Sequence, residues 1–191
     1  MNETVFENFP VLRTKRLLLR QVRDDDLQMI FDFNSDTAAL RFVPRAPFET
    51  QAEAVEKIKG FRNGFADRKG IWWVFETRET DRNTGHRAGE TIGYGGLFEV
   101  DAANSKAEIG YGLLPHYWGK GFVSEAIAEI SRFGCDEFGL HRIYGQVDPE
   151  NAPSARVLLK LGYVNEGCLK DDIFARGRYF DMDVFALINL E

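Results

Sequence analysis

Gly119, Lys120 and Gly121 lie in the stretch LPHYWGKGFVSEA, Leu114 to Ala126, where a loop runs straight into a helical pattern. No Ser, Thr, Asp or Asn stands just ahead of these glycines to cap the first turn. A helix start left bare offers several backbone N–H groups and about half a positive charge, which suits a phosphate. Glycines at 119 and 121 would let the backbone approach such a ligand closely; they equally suit a tight turn that binds nothing. Metal chemistry has no comparable foothold. His86, His116 and His141 are scattered and Cys135 and Cys168 form no C-x-x-C pair, so neither a metal site nor a disulfide framework is expected.

Spacing separates the phosphate motifs that could use this loop. A Walker A loop, G-x-x-x-x-G-K-[ST], fails at both ends, because Leu114 holds the first glycine position and Gly121 the hydroxyl position. A dinucleotide fingerprint, G-x-G-x-x-G, fits Gly119 and Gly121, with Asp148 ending the next strand, but Ser124 replaces the third glycine. It also begins past the middle of the chain, which leaves too few residues for a doubly wound fold.

The elements that would hold the loop are legible from periodicity. RLLLRQV, Arg16 to Val22, reads as a strand, and RDDD after it opens a helix through about Asn34. Thr50 and Glu53 have capping-box spacing at the start of a second helix, with Ala54, Val55, Ile58, Phe61 and Phe65 on one stripe. IWWVFETR is a strand, and the polar ETDRNTGHRAGE after it an exposed hairpin loop. TIGYGGLFEVD and KAEIGYGLL are strands joined by AANS, a connection short enough for antiparallel pairing. Alternation puts Ile92, Tyr94, Phe98 and Val100 on one face of the first, and Ala107, Ile109, Tyr111 and Leu113 on one face of the second. After the glycine loop, Val123, Ala126, Ile127, Ile130 and Phe133 recur at helical spacing. RIYGQVD then reads as a strand, PENAPSARVLLKLG as a turn and helix with Pro153 at its start and Gly162 past its end, and the remainder as two strands.

Two blocks carry a family resemblance. HYWGKG matches the coenzyme loop [QR]-x-x-G-x-[GA] of the GNAT N-acetyltransferases, except that His116 holds the first position. NAPSARVLLKLGY matches the family's next helix, with Asn151, Ser154, Gly162 and Tyr163 in place. With RLLLR near the start, AEIGYGL before the loop and RYFDMDVFAL near the end, the chain resembles the ribosomal-protein N-terminal acetyltransferase branch, the Rim type, over nearly its whole length. The resemblance implies a single α+β domain over residues 1–191: a mixed, mostly antiparallel twisted sheet of about seven strands flanked by about four helices. Strands four and five, Lys106 to Leu114 and Arg142 to Asp148, would splay apart at one end. The pantetheine arm of acetyl-CoA, the acyl donor, would lie in that gap, bonded to backbone near Leu113 and Leu114 and reached by Asn151. The N–H groups of Trp118, Gly119, Lys120, Gly121, Phe122 and Val123 would hold the pyrophosphate. The Lys120 side chain either adds a point charge there or faces water.

Acetyl transfer to an amine needs a neutral amine to attack, an oxyanion to be held and a thiolate to leave. A lysine amine has a pKa of about 10.4 and a peptide α-amine about 8, so the α-amine needs less help from a base. Glu108 is the candidate base. It shares a strand face with Lys106, Gly110 and Gly112, a face almost free of side chains toward the ligand end and so with room for a substrate; the other reading is an exposed residue paired with a lysine. Many GNAT enzymes place an acidic tyrosine where this chain has Leu158; in the Rim-type branch a serine at the position of Ser154 is the proposed substitute, with water as the alternative. Phe31, Phe33, Phe42, Phe48, Trp72 and Trp73 either line the acceptor end or fill the core.

Composition bounds the rest. A chain of 191 residues with 44% apolar and 28% charged residues suits one globular domain. A net charge of −6, from 24 basic and 30 acidic residues, argues against general nucleic-acid binding. MNETVFENFPVLRTKRLLLRQV has no apolar stretch of signal-peptide length, and no run approaches a membrane span, so a cytoplasmic location is expected. The function expected is acetyl-CoA-dependent N-acetylation of a primary amine, the α-amine of a protein N-terminus such as a ribosomal protein's. A small-molecule amine such as a polyamine or aminoglycoside, and a coenzyme A-binding sensor without turnover, are the alternatives. The family analogy also allows a homodimer.

Overall fold

The computed structural model describes residues 1–80 and 85–190. Eight strands form one sheet: β1 (Leu12–Arg13), β2 (Leu17–Gln21), β3 (Gly70–Thr77), β4 (Thr91–Asp101), β5 (Lys106–Leu113), β6 (Arg142–Val147), β7 (Val164–Ala175) and β8 (Arg178–Ile188). Their spatial order is β1-β2-β3-β4-β5-β6-β8-β7, and among the described residues only β5 and β6 run parallel. The strand beyond the seven expected is the two-residue β1, too short to show as alternation. Among the described residues four α-helices accompany the sheet: α1 (Leu27–Ser35), α2 (Gln51–Ala66), α3 (Phe122–Asp136) and α4 (Ala152–Lys160).

Each face of the sheet carries its own core, because successive strand residues point to opposite sides. Trp73 and Phe75 of β3 join Ala126, Ile127, Ile130 and Phe133 of α3 on one face, while Val74 joins Ile30, Ala54 and Ile58 of α1 and α2 on the other. The capping box at Thr50 is present: Glu53 Oε2 accepts from Thr50 N–H at 2.9 Å. Of the α2 stripe, Val55 departs, being 37% exposed.

The alternation expected along β4 fails at both ends for one physical reason. A β-bulge places one extra residue against the partner strand and flips every side chain beyond it. Register shifts against β3 near Phe75 and against β5 between Phe98 and Asp101 send Ile92 and Val100 to the α3 face, whereas Tyr94 stays on the α1–α2 face. On β5 the expected face holds: Ala107, Ile109 and Leu113 are buried, with Tyr111 packed against the same core.

The loop after β3 is largely exposed among its described residues, as its polar composition predicts. His86 alone among them is buried, edge-on to the Phe122 ring at 5.0 Å; residues 81–84 of that loop lie outside the described residues. A buried ion cluster fixes the start of α1. The Arg20 guanidinium donates to both Asp26 oxygens at 2.8 Å and to Glu76 Oε2 at 2.5 Å, and these carboxylates raise its pKa despite burial. Asp26 also accepts from Arg23 N–H, so β2 and α1 are tied together. Removing Asp26 would leave the guanidinium short of counter-charge at a cost of about 3–5 kcal/mol.

Candidate functional site

The glycine loop enters α3 through backbone that only glycine adopts freely: φ is +72° at Gly119 and +79° at Gly121. Gly121 is the N-cap of α3, and no side chain caps that end. Among the described residues the N–H groups of Gly119, Gly121, Phe122 and Val123 have no hydrogen-bond acceptor, whereas Trp118 N–H donates to the Pro115 carbonyl. Trp118 is thereby withdrawn from the expected row of donors. Nothing stands within 4 Å of where a Gly119 Cβ would point. The helix start is therefore an open cradle of donors, the property of an anion site.

Two residues that sequence reasoning passed over hold this cradle. Glu125, in the first turn of α3, accepts from Thr14 Oγ1 at 2.5 Å, Arg16 N–H at 2.7 Å and Arg16 Nε at 2.7 Å. Arg16 Nη1 in turn donates to the Lys120 carbonyl at 2.9 Å, and the guanidinium lies 4.4 Å from the Phe122 ring centre. These hydrogen bonds keep Glu125 below its ordinary pKa although burial opposes them. The turn between β1 and β2 and the start of α3 are thus clamped together.

A cleft of about 450 Å³ opens beside the cradle. Leu113, Trp118, Gly119, Gly121, Phe122 and Val123 line it, and from the other side so do Asn151 and Ser154. Leu114 and Lys120 are not on its wall. Leu114 N–H pairs with the Ile92 carbonyl, and the Lys120 ammonium sits 5.4 Å from the Tyr117 ring centre. The Leu113 carbonyl already accepts from Trp118 Nε1 at 2.7 Å. Asn151 caps α4, its Oδ1 accepting from Ser154 N–H at 3.2 Å.

A second cavity of about 230 Å³ adjoins the first and shares Phe33, Phe42, Tyr111, Asn151 and Ser154 with it. It lies where β5 and β6 stop pairing. Their ladder covers three residue pairs and ends at Glu108↔Tyr144, while Gly110 and Tyr111 on one strand and Gln146 and Val147 on the other line the cavity beyond. Glu108 lines it too. Burial, then Glu99 and Asp172, pushes the Glu108 carboxyl up from 4.5 to about 7. Among the described residues Glu108 forms no ion pair to a lysine; Lys106 faces Asp101 instead, at 3.7 Å.

The room expected above Gly110 and Gly112 is filled. A Cβ at Gly112 would fall 2.2 Å from the Phe33 ring and one at Gly110 2.9 Å from Phe98, so these glycines exist to let aromatic rings lie on the strand. The space beside Glu108 opens instead toward β6. Of the six aromatic residues considered, Phe33, Phe42 and Trp72 line the second cavity, Trp73 is sealed in the α3-side core, and Phe31 and Phe48 pack on the α1–α2 core.

Where the cavities meet, the Tyr111 hydroxyl lies 2.8 Å from Ser154 Oγ. Burial pushes the Tyr111 phenol up to about 12, so it stays neutral. Its hydroxyl was not foreseen, because alternation marks Tyr111 only as a core residue. Leu158 is buried, as an apolar residue on the inner face of α4 should be.

Lys57 and Arg45 complete the second cavity, and neither was anticipated. Burial pushes the Lys57 ammonium down to about 8, with Arg45 adding to the effect. Lys57 stands between Ala54 and Ile58 on the buried stripe of α2, and a charge on an apolar stripe was the available signal. Among the described residues no group of three or more His, Cys, Asp or Glu gathers as a metal site would, and no helix is long and apolar enough to cross a membrane.

Comparison with known proteins gives four likenesses. The family profile described as "Acetyltransferase (GNAT) domain" matches residues 16–164. The uncharacterized N-acetyltransferase YoaA of Bacillus subtilis is 34% identical over 180 residues, covering 94% of this chain and 97% of that protein. Spermidine N(1)-acetyltransferase of Vibrio cholerae is 26% identical, over 87% of this chain and 90% of its own. Among solved structures, Mycobacterium smegmatis RimJ in complex with CoA-disulfide superposes with a TM-score of 0.80 at 24% identity, covering 93% of this chain and 86% of that one. That last likeness concerns the fold.

Proposed function

Because the chain belongs to the GNAT acetyltransferase family and is an acetyl-CoA-dependent N-acetyltransferase, we propose that its acceptor is the α-amine of a protein N-terminus. The observation that carries this reading is the pairing of Glu108, held at about 7, with a narrow cavity that joins the main cleft at Ser154 and Tyr111. A base whose pKa lies close to that of the amine takes its proton at little free-energy cost, about 1.36 kcal/mol per unit of difference. An α-amine at about 8 is well matched to Glu108, and a lysine-like amine at about 10.4 is not.

The residues present fit the donor. The bare start of α3, with glycines at 119 and 121, is a cradle for its diphosphate, and Arg16 and Glu125 hold the cradle's shape. Asn151, Leu113 and the mouth of the cleft would border the pantetheine arm, which ends in the thioester that supplies the acetyl group. Glu108 takes the proton of the incoming ammonium, directly or through a water, so that the free nitrogen attacks the thioester carbon. The new C–N bond forms as the C–S bond breaks. Ser154 then passes its hydroxyl proton to the departing sulfur and takes in return the second proton that the acylated nitrogen must lose, so the serine ends neutral. Tyr111, neutral throughout, donates to Ser154 Oγ and so leaves the serine proton pointing into the cleft.

The test is incubation with acetyl-CoA and separate pools of peptides, polyamines and aminoglycosides, read by mass spectrometry. Acetylation at peptide α-amines, with kcat/KM rising with pH through an apparent pKa near 7, is the expected result. Acetylation confined to polyamines would favour the activity named for the spermidine acetyltransferase relative. Coenzyme binding with no pool modified would favour a sensor.

A further inference from the structure

The cavity beside Glu108 holds two cations that the transfer just described leaves idle. Arg45 comes from the loop between α1 and α2, and Lys57 from α2. Neither forms an ion pair among the described residues. The guanidinium of Arg45 donates to Asn34 Oδ1 and lies 4.9 Å from the Phe48 ring centre. Lys57 Nζ lies 5.1 Å from the Phe61 ring centre and 5.3 Å from that of Tyr94. The carboxylate that acts on Arg45 from a distance is Glu53, whose oxygen is already engaged by the N–H groups of Glu49 and Thr50.

Gathering two like charges in a half-buried, aromatic-walled cavity with no carboxylate in ion-pair contact with either costs free energy. Such an arrangement persists where a ligand supplies the missing charge. The same cavity carries Glu108 and Asp148, on β5 and just past β6, so one wall is acidic and the other basic. An acceptor that matches both walls bears an amine and an acid together.

We propose that Arg45 and Lys57 form an anion subsite for the acceptor, so that the preferred amine carries a carboxylate close to it. This rests on the reading that the second cavity receives the acceptor. A polyamine fits it poorly, since its further ammonium groups would meet Arg45 and Lys57. The carboxylate has two sources: the side chain of Asp or Glu as the first residue of a peptide, or the α-carboxylate of a free amino acid. Both present the same chemistry to the two cations.

Steady-state kcat/KM separates the sources. One arm compares peptides that differ only in the first residue, Asp against Asn and Glu against Gln; the other compares free amino acids with their amides. A charge-assisted contact predicts an advantage of about 10- to 100-fold for the acid in one arm. Lys57→Met keeps the apolar stem over Phe61 and Tyr94 and should bring that ratio close to one. Arg45→Lys, which retains charge, should preserve most of it. Circular dichroism of each variant separates loss of the subsite from loss of the fold. Equal rates for acid and amide in both arms, or a preference that survives Lys57→Met, overturns the subsite while peptide acetylation stands. Acetylation of polyamines alone overturns the acceptor reading itself, and the subsite with it.

Discussion

Replacing Glu108 with Gln should cost activity and gain stability, and the gain should depend on pH. In the folded chain burial, Glu99 and Asp172 hold this carboxyl at about 7 instead of its ordinary 4.5. At about 1.36 kcal/mol per pKa unit the full difference corresponds to about 3 kcal/mol. Glu108 is only half-buried, so solvent screening leaves about 1–2 kcal/mol as the expected effect. The sign follows from proton counts. Between pH 4.5 and 7 the unfolded chain has lost this proton while the folded chain keeps it, so the carboxyl lowers wild-type stability progressively as pH rises. Above about 7 the penalty is complete; below 4.5 both states are protonated and it vanishes. Urea unfolding of wild type and Glu108→Gln at pH 4 and pH 8 checks this. The variant should be more stable by about 1–2 kcal/mol at pH 8 and nearly equal to wild type at pH 4. A variant less stable at pH 8, or one that gains the same amount at both pH values, would refute the placement of a strained carboxyl in the acceptor cavity.

Gly121→Val should abolish coenzyme A binding in isothermal titration, because a β-branched residue at φ +79° is strained and its side chain would enter the cradle toward Arg16 Nη2, 3.4 Å from the Cβ position; unchanged affinity would refute the loop assignment. Glu125→Ala removes the acceptor of three hydrogen bonds, so thermal unfolding should show a loss of about 1–3 kcal/mol together with weaker coenzyme binding. Ser154→Ala should lower kcat by about 10-fold or more with coenzyme affinity kept, and Tyr111→Phe should lower it less, since it leaves the serine proton in place but unoriented. A Tyr111→Phe variant slower than Ser154→Ala would reverse the assigned roles.

The sequence made the scaffold legible wherever one periodicity governed an element. The α3 stripe, the Thr50 capping box and the inner face of β5 all follow from spacing alone. It failed on β4, where two bulges reverse the alternation without a residue type that announces them. The candidate site divides the same way. Backbone donors at Gly119 and Gly121 are legible because their residue type fixes their conformation. Side-chain partners brought together across the sheet are not: Glu125 with Arg16, and Tyr111 with Ser154, are separated by 109 and 43 residues. The empty face expected over Gly112 shows the opposite error, since a glycine can make room for a ring as readily as for a ligand.

A crystal structure with coenzyme A bound tests the central claim most directly. The account predicts diphosphate oxygens within hydrogen-bond distance of the N–H groups of Gly119, Gly121, Phe122 and Val123, and a thiol at the junction between Ser154, Tyr111 and the Glu108 cavity. A diphosphate held elsewhere, or a thiol directed away from Glu108, would contradict it.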